Sequence, residues 1–167
     1  MFTTIEEFKR AWKNCSESTS KALAELTDKS LAQAVSKDDR TLGRIAWHLA
    51  TAIPEMMGHV GLNIKGVGAE DPLPKTAAEI KKAYDTAAAS LLEEVTKNWK
   101  DETLQIVDEM YGEKWPRGLT LRILIDHEIH HRGQMTVLMR QAGLKVPGIM
   151  GPSREEWTQY GMKPPEI

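Results

Sequence analysis

The sequence predicts an all-α protein, a four-helix bundle with a short C-terminal helix. Four long segments repeat apolar residues at the three-to-four-residue spacing of one helix face. Ser/Thr-x-x-Glu pairs, which form capping boxes, precede three of the predicted helices. The 167 residues contain no repeat, low-complexity tract or domain linker. We therefore expect one domain spanning residues 1–167, long enough to bury a core.

The first helix is predicted over residues 4–27 and begins at a Thr4–Glu7 capping box. Its apolar face consists of Ile5, Phe8, Trp12, Cys15, Ala22, Leu23 and Leu26. Because Cys15 lies on that face, we expect it to be a buried, small apolar residue rather than a reactive thiol. Polar residues 28–38 then lead to the second helix.

The second helix is predicted to start near Asp38 or Asp39, either of which could be its N-cap. Its stripe consists of Leu42, Ile45, Leu49, Ile53, Met56 and Val60. Pro54 lies inside this pattern and removes one backbone hydrogen bond, so we expect a kink or a helix end nearby. The Gly- and Pro-rich segment 61–75 is long enough to cross one end of a bundle.

The third helix starts at a Thr76–Glu79 capping box, and the fourth spans residues 119–142. Between them, residues 100–118 are mixed, with a short strand or turn predicted around 104–107. Gly143 is well placed to end the fourth helix. A further Ser-x-x-Glu pair, Ser153 and Glu156, predicts the short terminal helix.

Composition argues against several classes of function. The net charge is -2 and the basic residues are scattered, so we expect binding to neither nucleic acid nor membrane. The segment "MFTTIEEFKR" does not resemble a signal peptide, and no stretch approaches the roughly 20 apolar residues that cross a bilayer. The single cysteine excludes an intrachain disulfide and fits a reducing compartment, so we expect a cytoplasmic protein.

The segment "DHEIHHRGQ" in the fourth helix carries the most chemistry. His127 and His131 are one turn apart on the core-facing stripe, and polar rings on such a face need partners. A metal ion could satisfy both rings, and His48 on the second helix also faces the interior. Three histidines with open positions would be typical of a catalytic metal site. The alternative is that they are ordinary core histidines.

Two further histidines are set apart from this group. His130 is offset by about 60° from His127, so it could support the site from outside or face a neighbouring helix. His59 follows the proline of the second helix, and we expect it to be exposed.

The same segment fits H-E-x-x-H, a zinc-protease motif. One large protease class continues with glycine and histidine, where this chain has Gln134 and Val137. Another class takes a third ligand from a later glutamate, and the nearby candidates, Glu155 and Glu156, open a short helix beyond a loop. Because the first hundred residues also lack a convincing strand that could hold a peptide, the sequence disfavours a protease.

The segment "HEIHHRGQMTVLMRQAG" resembles the signature helix of the DinB-like (YfiT-like) family, which includes metal-dependent enzymes. The family pattern His-x-x-x-His-Arg-Gly-Gln is matched by His127, His131, Arg132, Gly133 and Gln134. The segment "RIAWHLA" is similar to the second helix of the family, and His48 matches its histidine. The tail "VPGIMGPSREEW" is similar to that of one subset, so the resemblance covers essentially the whole chain.

The resemblance implies a four-helix bundle in up-down-down-up order, often a homodimer. It also implies a divalent metal ion, zinc or nickel, held by His48, His127 and His131 with water on the open positions. Characterised relatives include bacillithiol-using thiol S-transferases and a mycothiol-dependent maleylpyruvate isomerase. Glu128 is not a fixed part of the family pattern, which makes its match to the protease motif accidental.

The leading hypothesis is therefore a metal-dependent transferase acting on a low-molecular-weight thiol and a second small molecule. Gln134 would orient a ligand or the substrate, and Arg132 would make a structural ion pair. A second hypothesis is a hydrolase that activates water, with Glu128 as its base. A third is a metal-binding stress protein without catalytic activity.

Overall fold

The computed structural model describes residues 1–166 and is dominated by four long helices. These are α1 (Ile5–Ala24), α2 (Leu42–His59), α3 (Ala77–Asn98) and α4 (Arg117–Gln141). The predicted all-α, four-helix bundle is confirmed. The predicted capping boxes of α1 and α3 are also present, with Thr4 and Thr76 as N-caps. Short 3-10 helices span Asp28–Ala32, Asp101–Gln105 and Trp157–Tyr160.

Hydrogen bonds at the helix ends fix the direction of three helices. Asp101, just after α3, accepts a bond from the Ile5 N–H at the start of α1 (2.7 Å). Asp28, just after α1, accepts a bond from the Ala77 N–H at the start of α3 (2.8 Å), so α1 and α3 are antiparallel. The Phe2 N–H donates to the carbonyl of Gly118, the second residue of α4. Because their first turns lie together, α1 and α4 are parallel.

The fourth direction follows from the surfaces that α2 and α4 share. Ile45, near the start of α2, lines a cavity with Leu138, near the end of α4. Met56, near the end of α2, lines another cavity with Ile123, in the first half of α4. The two helices are therefore antiparallel, and the bundle runs up-down-down-up. In this arrangement α1 and α2 each pack against both α3 and α4.

The start of α4 is held close to the amino terminus of the chain. A Cβ atom at Gly118 would lie 2.2 Å from the Phe2 carbonyl oxygen, so only glycine fits there. Farther along, side chains from all four helices fill the core. The largest of those fully buried are Trp12, Tyr84, Phe8, Leu23, Leu42, Leu49, Ile53, Met57, Ile80 and Leu91.

The start of α2 differs from the prediction. Its N-cap is Thr41, whose hydroxyl accepts the Arg44 N–H at 3.2 Å, and not Asp38 or Asp39. Asp39 instead accepts a bond from the Ser36 hydroxyl at 2.7 Å. The prediction was wrong because residues 35–39 form bends and a turn before the helix, in which the Ser36 and Asp39 side chains bond to each other.

Pro54 does not end α2, which continues to His59. The segment after the helix packs against the proline, since a Cβ atom at Gly66 would lie 3.4 Å from Pro54 Cγ. The last turn of α2 is helical although the proline removes one backbone hydrogen bond.

A small antiparallel hairpin lies between α3 and α4. It consists of β1 (Val107–Met110) and β2 (Glu113–Pro116). Of the segment 104–107, where a short strand or turn was predicted, Leu104 and Gln105 end a 3-10 helix and Val107 begins β1. Tyr111 (φ 54°) and Gly112 (φ 85°) form the two-residue turn. Positive φ at both positions is typical of a type I′ turn, in which asparagine and glycine are favoured. Tyr111 is the one non-glycine residue with positive φ within residues 1–166.

After α4 the chain forms a loop and one 3-10 turn. The helix ends beside Gly143, as predicted, with φ 75°. The Glu156 carboxylate accepts the backbone N–H of Ser153 (2.9 Å) and of Gly148 (3.0 Å). Only half of the predicted capping box forms, because the Ser153 hydroxyl is buried without a partner among the described residues. Within residues 1–166 no helix combines the length and apolar character needed to cross a membrane.

Candidate metal centre

The structure brings the three predicted histidines together between α2 and α4. One side-chain nitrogen from each of His48, His127 and His131 lies within 4.8 Å of the others. The Nε2 atoms of His48 and His127 are 3.0 Å apart. Ring centroids within the cluster are 4.4 to 4.9 Å apart.

Helix geometry explains this convergence. His127 and His131 are four residues apart and project from the same side of α4. Because α2 lies antiparallel along α4, His48 meets the pair from the opposite wall. All three rings are partly buried, and His48 lies between the buried residues Trp47 and Leu49.

The electrostatics keep these imidazoles neutral. Burial, neighbouring histidines and the Arg40 charge together lower the pKa of His48 and of His127 to about 4, with burial as the largest cause. Burial also lowers the pKa of His131, although its bond to Gln134 acts in the opposite direction. At neutral pH each ring therefore has a nitrogen lone pair for a cation.

The donor set fits a divalent metal ion. Zinc bound tetrahedrally at about 2.0–2.1 Å would separate its nitrogen ligands by about 3.3 Å, close to the spacing of His48 and His127. His127 Nδ1 is buried and has no hydrogen-bond partner among residues 1–166. If Nε2 is the ligand atom, Nδ1 is the ring nitrogen that does not bind the ion. The Nε2 spacing therefore favours a ligand site over ordinary core histidines.

Gln134 orients one of the three rings. Its Oε1 lies 2.7 Å from His131 Nδ1, and as an acceptor it places the proton there and leaves Nε2 with the lone pair. The Gln134 Nε2 atom lies 3.2 Å from His130 Nε2. His130 therefore contacts the site from outside through Gln134.

Glu128 follows His127 in sequence but lies in the bundle core, where it is 1% exposed. Its Oε2 accepts hydrogen bonds from Thr19 (2.8 Å) and Tyr84 (2.9 Å), with the Cys15 thiol at 3.7 Å. Burial raises the pKa of Glu128 to about 7, although the two hydroxyl groups act in the opposite direction. Its carboxylate therefore serves the core and does not line the cavities beside the histidines.

Arg132 is also buried, and it does not make the ion pair expected of it. Its Nη1 donates to the Cys15 carbonyl (3.0 Å) and the Thr19 hydroxyl (2.9 Å), and the described residues offer it no ion pair. The tail pairs instead with Arg140, which binds Glu155. The prediction was wrong because the buried face of α4 is wider than the apolar residues alone indicate, and it includes Arg132.

Cys15 is buried, as predicted, and its surroundings suppress reactivity. Burial and the Glu128 charge raise the pKa of the thiol to about 11. The chain therefore has no thiolate of its own to offer at neutral pH.

Two cavities lie along the groove between α2 and α4, one to either side of the histidine cluster. The first has a volume of about 480 Å³, and its lining includes Val35, Asp39, Arg40, Ile45, His131, Gln134, Val137 and Leu138. The second has a volume of about 420 Å³, and its lining includes His48, Thr51, Ala52, Glu55, Met56, Tyr111, Ile123 and His127. Both are large enough for a small organic molecule.

The two cavities differ in charge. Arg40 and Asp39 contribute one cation and one carboxylate to the first, whereas Glu55 contributes a carboxylate alone to the second. The Tyr111 hydroxyl donates to Glu55 Oε2 at 2.7 Å, and His59 Nε2 lies 3.2 Å from Glu55 Oε1. Burial and this carboxylate raise the pKa of Tyr111.

Sequence reasoning missed Arg40, Glu55 and Tyr111. Arg40 and Tyr111 are exposed and lie outside the helices, where apolar periodicity carries no information. The available signal was the Tyr-Gly pair between two short strand-like runs, which indicates a hairpin.

Comparisons with known proteins agree with this fold. The model of the DinB family matches residues 1–166. The "uncharacterized protein YrdA" of Bacillus subtilis is 41% identical over 167 residues, which is 100% of both chains. A crystal structure of a DinB-like protein from Bacillus cereus is 43% identical with a TM-score of 0.86, and the match covers 89% of this chain and 99% of that one.

A second crystal structure shows likeness of the fold alone. It is a DinB-like protein of Bacillus subtilis, YjoA, 15% identical with a TM-score of 0.67, and the match covers 87% of this chain and 99% of that one. The match to the family model over nearly the whole chain carries more weight. Together with the bundle and its histidine cluster, it shows that the chain belongs to the DinB family.

Proposed function

We propose that this protein is a metal-dependent enzyme that transfers a low-molecular-weight thiol to a second small molecule. The observation that carries the proposal is the pair of cavities on either side of one histidine cluster. His131 lines the first cavity, and His48 and His127 line the second. Two different molecules can therefore approach the same centre without competing for one space.

His48, His127 and His131 would hold a divalent ion such as zinc or nickel. The ion would supply Lewis acidity, which lowers the pKa of a thiol that reaches it. The chain must receive that thiol as a substrate, because its own cysteine is buried with a raised pKa. The thiol sulfur would form a bond to the electrophilic atom of the acceptor. The leaving group would depart with its electron pair, and the thiol proton would go to solvent.

The position of Glu128 favours transfer over hydrolysis. A hydrolase needs a group that removes a proton from water, and Glu128 was the candidate base. Its carboxylate instead accepts bonds from Thr19 and Tyr84 within the core. Glu55, the carboxylate in the second cavity, is engaged by Tyr111. A thiol needs less help because it is far more acidic than water.

The proposal can be tested with zinc- or nickel-loaded protein, low-molecular-weight thiols and a chromogenic electrophile. We expect conjugation above the uncatalysed rate, and a loss of at least about a hundredfold in His48→Ala, which lacks one ligand. Lys97→Ala, an exposed change on α3, is the matched control and should keep the wild-type rate.

Two results would contradict the proposal. A wild-type rate no higher than that of His48→Ala would mean that the cluster does not promote transfer. Stoichiometric metal without turnover on any thiol would instead support the non-catalytic alternative.

A further inference from the structure

Four arginines make no side-chain ion pair or hydrogen bond among residues 1–166, namely Arg10, Arg40, Arg44 and Arg154. Arg117, Arg122 and Arg140, in contrast, each pair with a carboxylate. Of the four, Arg40 lines the first cavity, where it is exposed and lies beside His131. Its guanidinium therefore remains available for a partner that is not part of the chain.

The carboxylate beside Arg40 does not neutralise it. Asp39 lines the same cavity, but its oxygen accepts the Ser36 hydroxyl at 2.7 Å, and the two residues form no ion pair. A guanidinium at such a position presents paired N–H donors that match a carboxylate.

The rest of the first cavity is mainly apolar. Val35, Ile45, Val137 and Leu138 contribute to its lining. Val35 is 66% exposed and Val137 is 55% exposed, which is a large apolar surface to leave in water beside polar groups. An apolar ligand body would cover both side chains and gain the free energy of removing them from water.

The second cavity has the opposite preference. Glu55 places a negative charge there and holds it with the Tyr111 hydroxyl. An anionic group would be repelled at that end and attracted at the Arg40 end. The groove thus distinguishes the two ends by charge.

We propose that the first cavity binds a small organic anion, a carboxylate with an apolar body, whose charged group pairs with Arg40. The apolar body would lie over Val35 and Val137 and reach His131. The identification of this anion as one of the two substrates rests on the proposed function. Its binding does not, because Arg40 and the valines need no metal ion.

Hexanoate is a suitable probe, with hexanol and hexylammonium as neutral and cationic analogues of the same length. Binding would be followed by NMR titration of the isotope-labelled full-length chain, first metal-free and then zinc-loaded. We expect hexanoate to bind about three- to tenfold more tightly than either analogue in both forms. The largest shifts should fall at Val35, Val137 and their neighbours.

Arg40→Gln tests the source of this preference. The variant should bind hexanoate and hexanol equally while keeping the wild-type zinc content. Arg10→Gln is the matched control, because Arg10 is an exposed arginine on α1, away from the groove. It should keep the full preference for hexanoate.

Three outcomes would overturn the inference: no preference for hexanoate, an unchanged preference in Arg40→Gln, or shifts confined to the second cavity. Each can occur while zinc binding and thiol transfer are intact, so the proposed function would survive. Conversely, an Arg40-dependent preference without metal binding or turnover would support the anion site and reject the proposed function.

Discussion

His127 and Glu128 are consecutive residues of α4 that face different parts of the molecule. His127 lines an open cavity beside two other histidines, and its Nε2 lies 3.0 Å from that of His48. Glu128 is 1% exposed, and its Oε2 accepts bonds from two hydroxyl groups. On the same helix, His127 is therefore accessible from a cavity, whereas Glu128 is enclosed by the core.

The two residues show how a single helix can contribute both to stability and to ligand binding. Enclosed polar groups that are hydrogen-bonded specify how the helices pack, and removing one leaves its partners unsatisfied. Accessible groups that share no strong partner remain available for a ligand. Substitutions on the two sides should therefore separate the free energy of unfolding from metal affinity.

The largest effect is expected from Glu128→Ala. The change leaves the Thr19 and Tyr84 hydroxyls without their acceptor and opens a cavity beside buried Arg132. We expect the free energy of unfolding to fall by about 2–4 kcal/mol, measured by urea denaturation.

Glu128→Gln provides the control for this change, because it keeps an acceptor and a similar shape. Its loss of stability should be less than half of that in Glu128→Ala. It should bind zinc as tightly as the wild type does. If it lost metal while remaining folded, Glu128 would belong to the site, and the division between the two sides would be wrong.

His127→Ala should show the reverse pattern. Loss of one of three ligands should weaken zinc binding by at least about a hundredfold, which is about 2.7 kcal/mol. Zinc competition with a chromogenic chelator would measure this. The metal-free variant should stay within about 1 kcal/mol of the wild type, because the ring is only partly buried. Equal zinc affinity in both proteins would reject the metal centre.

The two sides should also respond to pH in opposite directions in the metal-free protein. The pKa of Glu128 is raised to about 7 from about 4.5 in the unfolded chain. Its contribution to the free energy of unfolding is therefore full below pH 4.5 and is lost as pH rises through 7. The pKa of His127 is lowered to about 4, so its contribution is full above 6.5 and is lost as pH falls through 4.

Urea denaturation at pH 5 and pH 8 would check this opposition. Relative to wild type, Glu128→Gln should gain stability on going from pH 5 to pH 8, on the order of 2 kcal/mol. His127→Ala should lose less stability than wild type when the pH falls from 7 to 4. If stability changed with pH in the same way in wild type, Glu128→Gln and His127→Ala, neither Glu128 nor His127 would have the shifted pKa.

The smallest effect is expected from Gln134→Leu. Without Gln134 Oε1, no acceptor fixes the proton on His131 Nδ1, and the ring loses its preferred orientation. Zinc affinity should fall about tenfold, and Gln134→Glu should recover it because the carboxylate also accepts. His130→Ala, on the outer side of Gln134, should change affinity less than threefold. If zinc affinity fell tenfold in His130→Ala and did not change in Gln134→Leu, His130 and not Gln134 would orient the site.

Much of the fold could be predicted because it follows from local patterns. The capping residues Thr4 and Thr76 mark helix starts through bonds to residues three positions away. The same locality explains the failure at α2, where Ser36 satisfies Asp39 and leaves Thr41 as the cap. Pro54 could not be judged either, because a proline alone does not show whether the helix continues past it.

The histidine cluster was predictable in part for a related reason. The spacing of His127 and His131 fixes their common direction within one helix, whereas the approach of His48 depends on how α2 packs. The cavities were beyond prediction, because Arg40 and Tyr111 reach them from connecting segments. A homodimer, a cytoplasmic location and the identity of the metal stay predictions.

The distance in sequence between His48 and the other two histidines has a consequence for biosynthesis. If the cluster binds a metal ion, a chain released before α4 has been made would carry only one of the three ligands and could not hold that ion. Metal binding would therefore increase the free energy of unfolding of the completed chain alone. Unfinished or clipped products would lack that stabilisation and remain easier substrates for proteolysis, so the ion would mark molecules whose synthesis is finished.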